Sequence, residues 1–222
     1  MEKQIFSIAI DGPAGAGKST IARQAASRLG FVYVDTGAIY RTIGYAAISA
    51  GIDPADQAAV EKLLPDVQIR MDWTEGVQHM YLNGTDVSGE IRKPEVSSSA
   101  SKVAAIPCVR SFLLDMQRNV AKVRSVIMDG RDIGTVVLPD ADVKIYLSAS
   151  VEVRAKRRWL ELPDRAYEDI LREVRERDQR DMNRKIAPLR AAEDAVRLDT
   201  SDLNLEESID AVLEIIRKKL AV

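Results

Sequence analysis

Apolar positions near the amino end fall into short runs separated by turn residues. Gln4–Ile10 (QIFSIAI) is apolar and β-branched and is bounded by Asp11-Gly12-Pro13, the pattern of a short buried strand. Thr20–Leu29 (TIARQAASRL) has helical spacing, with Gly30 placed to cap its end. Phe31–Val34 (FVYV) reads as a second strand, stopped by Asp35-Thr36-Gly37, and residues 39–49 return to helix. The β-α-β-α order predicts a parallel sheet covered by helices.

The middle of the chain changes period. Val67, Ile69 and Met71 alternate with polar residues, Val77–Leu82 (VQHMYL) is another β-like run, and Asp72-Trp73-Thr74-Glu75-Gly76 between them is suited to closing a hairpin. Residues near 66–90 therefore read as a small antiparallel insert. Helices are predicted over 93–105 and 108–123, strands over 125–128 (SVIM) and 143–147 (VKIYL), and mostly charged helix from Ser150 on, with a last strand at Val196–Asp199. Asn83-Gly84-Thr85 reads as a turn.

Composition removes alternatives more than it adds any. The 222 residues are 46% hydrophobic, 30% charged and 5% aromatic, which predicts an aliphatic core and excludes disordered, collagen-like and disulfide-rich classes. The one cysteine, Cys108, has no internal partner for a bridge, which suits a reducing compartment. A net charge of −2 gives no general drive toward nucleic acid or anionic membrane. The expectation is a cytoplasmic monomer with no membrane partner. His79, Trp73, Trp159 and Cys108 read as structural, the cysteine as a small buried hydrophobe.

Chemistry enters with Gly12-Pro13-Ala14-Gly15-Ala16-Gly17-Lys18-Ser19-Thr20. It fits the phosphate-loop pattern G-x-x-x-x-G-K-[ST] and lies between a predicted strand and a predicted helix. Glycines let backbone N–H groups turn toward phosphate oxygens, and the helix start adds its dipole. Lys18 offers a point charge to the β- and γ-phosphates, and the Ser19 hydroxyl a ligand for Mg²⁺. The motif defines a nucleoside-triphosphate site without defining a reaction. No Asn-Lys-x-Asp element of guanine-specific switches is present. A kinase of a small acceptor is favoured over a nucleotide-dependent switch, and an RNA-binding role for the arginine-rich helices is disfavoured by the near-neutral charge.

Two further loops, Asp35-Thr36-Gly37-Ala38-Ile39-Tyr40-Arg41 and Asp129-Gly130-Arg131-Asp132, follow predicted strands, and open α/β sheets bind ligands at the carboxyl ends of their strands. Arg41 and Arg131 would point planar, permanently charged forks at a second phosphate. In the predicted helix 167–183, Ile170, Leu171 and Val174 form the apolar stripe. At ~100° per residue, Arg177, Asp181 and Arg184 fall within about 80° of Val174. The inward stripe thus continues as ions, whereas Arg172, Arg175 and Arg180 read as solvated, salt-bridged surface. Arg154, Arg157 and Arg158 form either a lid over the triphosphate or a basic exposed helix start.

Together these residues resemble the bacterial cytidylate (CMP) kinases nearly end to end. The resemblance is carried by the phosphate loop, by residues 35–41, by Asp86-Val87-Ser88-Gly89-Glu90-Ile91-Arg92 in the β-rich insert, by residues 129–137, and by Glu176-Arg177-Asp178-Gln179-Arg180-Asp181 leading to Ala187-Pro188-Leu189. It implies an α/β fold: a P-loop NTPase-type parallel sheet flanked by helices, with a core of about 1–36, 104–153 and 167–222, an acceptor segment of about 37–103 and a lid of about 154–166. It implies ATP with Mg²⁺ as donor and CMP or dCMP as acceptor, a kinase for another base such as UMP being the nearest alternative. In the family, positions matching Thr36, Arg110 and Asp132 contact cytosine, those matching Ser101, Arg177 and Asp181 hold the sugar, and those matching Arg41, Arg131 and Arg184 clamp the acceptor phosphate. Tyr40 is counted with the acceptor site. Lys18, Arg131, Arg184, Arg157 and Arg158 are the expected catalytic charges.

Overall fold

The structure is a computed structural model that describes residues 4–162 and 164–221. In chain order its elements are β1 (Ser7–Asp11), α1 (Lys18–Leu29), β2 (Val32–Asp35), α2 (Thr36–Ser49), α3 (Gln57–Leu63), β3 (Ile69–Thr74), β4 (Val77–Leu82), β5 (Thr85–Asp86), α4 (Pro94–Val103), α5 (Pro107–Val123), β6 (Val126–Gly130), β7 (Val143–Ser148), α6 (Val151–Glu161), α7 (Tyr167–Met182), β8 (Val196–Asp199) and α8 (Leu205–Leu220). A π-turn at Ile133–Val137 follows β6. The chain divides into two compact units, one within Met1–Val32 and Ala121–Val222, the other Tyr33–Val120.

A five-stranded sheet has the order β2-β6-β1-β7-β8. β1 pairs parallel with both β6 and β7, and β7 pairs parallel with β8. A strand inside a parallel sheet is covered on both faces, so it reads as a continuous apolar run. β6 is buried at all five positions, and Ile8, Ala9 and Ile10 of β1 are wholly buried. The outer strand β8 alternates half-buried and exposed residues. β1 starts at Ser7 rather than Gln4; just before it, Phe6 N donates to the side-chain Oγ of Ser125 at 3.1 Å rather than to a strand carbonyl.

Helix α1 starts at the phosphate loop and ends at Gly30 (φ 68°), where Phe31 N donates to Ala26 O at 2.9 Å. α8 opens with a reciprocal capping box between Asn204 and Glu207. The outer end of α1 is tied to α8 through Arg28, which reaches Glu206 and Asp210.

In the second unit the hairpin β3–β4 turns at Glu75-Gly76, and β4–β5 turns at Asn83-Gly84. All four residues have positive φ (53°, 76°, 49° and 84°), the signature of tight right-twisting turns. α2 and α4 approach closely: a Cβ at Gly44 would lie 1.8 Å from Ser99 Oγ. α3 was not predicted by the sequence pattern; it buries only Val60.

Candidate active site

The phosphate loop follows from β1. Gly12 has φ 152°, and a Cβ there would fall 1.9 Å from Leu147 O, so this position holds only glycine. Gly15 and Gly17 are also left-handed (φ 76° and 84°). Gly17 caps α1 with no side-chain hydrogen bond of its own, which leaves first-turn N–H groups open to an anion.

Lys18 is 5% exposed, and its Nζ donates to Pro13 O at 2.7 Å. Burial, aided by the charge of Arg131, pushes the amine well below the usual lysine range, against the pull of Asp129 and Asp11. Ser19 Oγ donates to Asp129 Oδ2 at 3.0 Å. Asp11 at the end of β1 is buried and accepts from Ile133 N and Gly134 N, each at 2.8 Å. Burial raises its carboxyl to about 6, although those two bonds pull the other way. Asp11 thereby holds the turn that follows Arg131 and the buried Asp132.

The ionic face of α7 lies where its helical spacing predicts. Asp181 is 1% exposed and takes Arg131 Nε at 2.8 Å on one oxygen and Arg184 Nη2 on the other. Burial works to raise this carboxyl, yet Arg131 and Arg184 hold it below the usual range. Burial, aided by the charge of neighbouring Arg131, lowers the Arg177 guanidinium to about 10. The Nε atoms of Arg177 and Arg158 are buried without a hydrogen-bond partner. Several arginines thus surround one carboxylate, an excess of positive charge that an anionic ligand would complete.

The three arginines after β7 behave differently. Arg157 donates to Thr200 O at 2.7 Å, and its Nη1 lies 3.9 Å from where a Gly17 Cβ would stand, beside the phosphate loop. Arg154 is neither an exposed helix start nor free to act as a lid. It is 3% exposed and forms a two-pronged pair with Asp178, with Nη1–Oδ1 at 3.0 Å and Nη2–Oδ2 at 2.6 Å. It also donates to Ala149 O and to Ala14 O of the phosphate loop. Sequence reasoning missed Asp178, although its spacing four residues past Val174 carries the buried row Ile170, Val174, Asp178. It also passed over Asp129 as the acidic partner of Ser19; an acid ending an apolar strand was the available signal.

In the second unit, Asp35 caps α2 by accepting from Ala38 N at 3.0 Å and pairs with Arg41 Nη2 at 2.8 Å. A Cβ at Gly37 would stand 3.0 Å from both Arg41 Nη1 and Asp35 Oδ1, so glycine gives Arg41 room to fold back over the first turn. Arg41 Nε is buried without a partner. Thr36 and Tyr40 are buried in the same helix. The Arg110 guanidinium on α5 lies 5.7 Å from the Tyr40 ring centroid and donates to Ala104 O at 3.2 Å. Ser101 on α4 is half-buried. Within the first unit Arg131, Arg177, Asp181 and Arg184 are therefore neighbours; within the second, Thr36, Tyr40 and Arg41 share the start of α2, and Arg110 joins Tyr40.

The residues expected to be structural differ from one another in their surroundings. Trp159 packs edge-on against Tyr167 as expected, whereas Trp73 also holds the chain through a hydrogen bond, its Nε1 donating to Tyr33 O at 2.9 Å. His79 faces Asp86 at 3.4 Å. Cys108 is half-buried rather than buried. Arg172 and Arg175 make exposed ion pairs with Asp169 and Glu152.

A glycine-rich loop between a buried parallel strand and a helix, with lysine, hydroxyl and clustered arginines, defines a P-loop kinase. The solved shikimate kinase from Bacteroides thetaiotaomicron shares the fold, with a TM-score of 0.50 over 99% of this chain and 100% of that one at 12% identity. The profile of the family described as cytidylate kinase matches residues 8–218, and the chain belongs to that family. It is 49% identical to a cytidylate kinase from Caldicellulosiruptor bescii over 217 residues, 96% of each chain. It is 47% identical to one from Oceanobacillus iheyensis over 98% of this chain and 96% of that one.

Proposed function

We propose that the protein transfers the γ-phosphoryl group of ATP to the phosphate of CMP or dCMP, giving ADP with CDP or dCDP. The observation that carries this reading is the half-buried arginine group around the buried Asp181 in a chain of the cytidylate kinase family: it holds more positive charge than its one carboxylate balances. A kinase specific for UMP and a nucleotide-dependent switch are both less favoured than this reading.

The acceptor phosphate has a second pKa near ~6, so its attacking oxygen is already ionised at neutral pH. That oxygen forms a bond to the γ-phosphorus as the bond to the bridging β–γ oxygen breaks, and the electron pair leaves with ADP. No general base is required, which suits a chain whose single histidine lies in β4. The protein's work is positioning and charge neutralisation. Residues 12–20 cradle the donor, and Lys18 neutralises its transferring end. Arg157 and Arg158 stabilise charge on the transferring group. Arg41, Arg131 and Arg184 hold the acceptor phosphate; Ser101, Arg177 and Asp181 hold the sugar. Thr36, Arg110 and Asp132 read cytosine, with Tyr40 beside Arg110.

The adjacent hydroxyl of Ser19 and carboxylate of Asp129 are hard oxygen donors that fit Mg²⁺, an ion held by one or two protein groups plus substrate phosphates. When bound, Mg²⁺ would neutralise charge on the β- and γ-oxygens. No helix among the described residues is long and apolar enough to cross a membrane. A cytoplasmic monomer acting on free nucleotides, with no nucleic-acid partner, completes the reading.

A coupled assay with ATP and CMP, dCMP, UMP, AMP or dTMP tests it. Turnover with CMP and dCMP well above the other three is expected. Turnover with UMP or AMP and none with CMP would overturn the substrate assignment. Phosphate release that needs no acceptor would favour the switch.

A further inference from the structure

β2 is outermost in the sheet order, and Val32 at its start donates inward to Ser125 O. The backbone groups of Tyr33 and Asp35 alternate to the other side, as on any edge strand. There they meet side chains of the hairpin. Trp73 and Gln78 stand directly opposite each other on β3 and β4. Trp73 Nε1 donates to Tyr33 O at 2.9 Å. Gln78 Oε1 accepts from Asp35 N at 2.8 Å, and its Nε2 donates to Asp35 O at 3.3 Å. One rung of the hairpin therefore imitates the hydrogen-bond pattern of a neighbouring strand, with a side-chain amide in place of a peptide. Asp35, gripped in this way, is the residue whose carboxylate caps α2 and pairs with Arg41.

We propose that Gln78 is a positioning residue of the transfer reaction: by fixing the backbone of Asp35 it sets the direction of the Arg41 fork, and so the affinity for the acceptor phosphate. This rests on the reading that Arg41 holds that phosphate. It gives the β-rich insert a role in binding the phosphate of the acceptor, although Gln78 touches no nucleotide. A side-chain amide serves because its donor and acceptor match the N–H and C=O of one residue.

The test compares the Gln78→Met, Trp73→Phe and Arg41→Ala variants, with KM for CMP, KM for ATP, kcat and melting temperature measured for each. Gln78→Met keeps the volume and removes both bonds. It should raise KM for CMP roughly three- to tenfold, the worth of a hydrogen bond or two, and leave KM for ATP and kcat at saturating CMP within about twofold. Trp73→Phe removes one donor and should raise KM for CMP less, in the same direction. Arg41→Ala should raise it more than either. A raised CMP KM in Arg41→Ala with unchanged values in both hairpin variants would overturn the proposal alone. An unchanged value in Arg41→Ala would overturn the reading beneath it. Parallel loss of CMP and ATP affinity with a lowered melting temperature would mark Gln78 as merely structural and also overturn the proposal. If Gln78→Met does not fold, the CMP-selective shift in Trp73→Phe decides.

Discussion

Ser19 Oγ donates to Asp129 Oδ2 at 3.0 Å across 110 positions of sequence. The bond joins the phosphate loop to the carboxyl end of β6, where the arginine-bearing turn begins. A hydroxyl and a carboxylate side by side form a pair of hard donors. Asp129→Asn, which leaves the loop glycines untouched, should weaken Mg²⁺ affinity about 10- to 100-fold. Activity titrated against Mg²⁺ at fixed ATP measures it, and added Mg²⁺ should restore part of the rate.

Lys18 holds its proton weakly because it is buried beside Arg131. A triphosphate reverses that balance. ATP binding should therefore take up protons in mildly alkaline buffer, with the uptake shrinking as the pH falls and the free amine is already charged. Calorimetry in two buffers of different ionisation heat reads the uptake directly. Lys18→Ala should abolish both the uptake and the transfer. In the unliganded protein the lowered amine binds fewer protons than it does unfolded, so its contribution to stability grows with rising pH up to the usual lysine value.

Asp11 shows the opposite sign. Its folded carboxyl titrates at about 6, and an unfolded one near ~3.9. Between these values the folded chain binds more protons. The stability it contributes is complete below ~4 and is lost as pH rises through about 6, on the order of 3 kcal/mol. Asparagine does not titrate. Urea unfolding across that range should show Asp11→Asn gaining on the parent as pH rises.

The Arg154–Asp178 pair is buried on both sides and also anchors Ala14 O. Arg154→Met leaves a buried carboxylate without its partner and should cost about 3–5 kcal/mol. Replacing both, as Arg154→Met with Asp178→Leu, should recover most of that loss. Denaturant midpoints of the single and double variants test the pair. A single variant as stable as the parent would refute it.

Gly12→Ala places a methyl 1.9 Å from Leu147 O in a backbone region that suits only glycine. The loop must shift, with strain of about 1–3 kcal/mol, and ATP affinity should fall far more than CMP affinity. Thermal unfolding and nucleotide titration separate the two effects.

The parts of this molecule that sequence makes readable are those whose chemistry is local. β1 and β6 are apolar runs because a parallel sheet covers them on both faces, while β7 alternates buried Val143, Ile145 and Leu147 with half-buried residues. The phosphate loop is readable because its geometry demands particular residues at fixed offsets. The ionic face of α7 follows from helical spacing. What escaped prediction depends on distant partners. The π-turn at Ile133–Val137 has no local signal; it is held by Asp11, 122 and 123 positions away. Arg154 resembled the basic residues around it, and only the carbonyls of Ala14 and Ala149 and the carboxylate of Asp178 make its burial possible. α3 has one buried residue and so almost no apolar stripe to recognise.

The rung formed by Trp73 and Gln78 also bears on how such an insert can change over time. A hairpin that joined β2 through a backbone ladder would have to keep a common register along its whole length. Here the connection to Tyr33 and Asp35 passes through two side chains at one rung. Residues beyond that rung, including the exposed Glu75-Gly76 turn, are released from the register. The end of the hairpin is thus replaceable: the turn beyond the Trp73–Gln78 rung can drift or be redesigned while the grip on β2 and the buried Met80 stay the same.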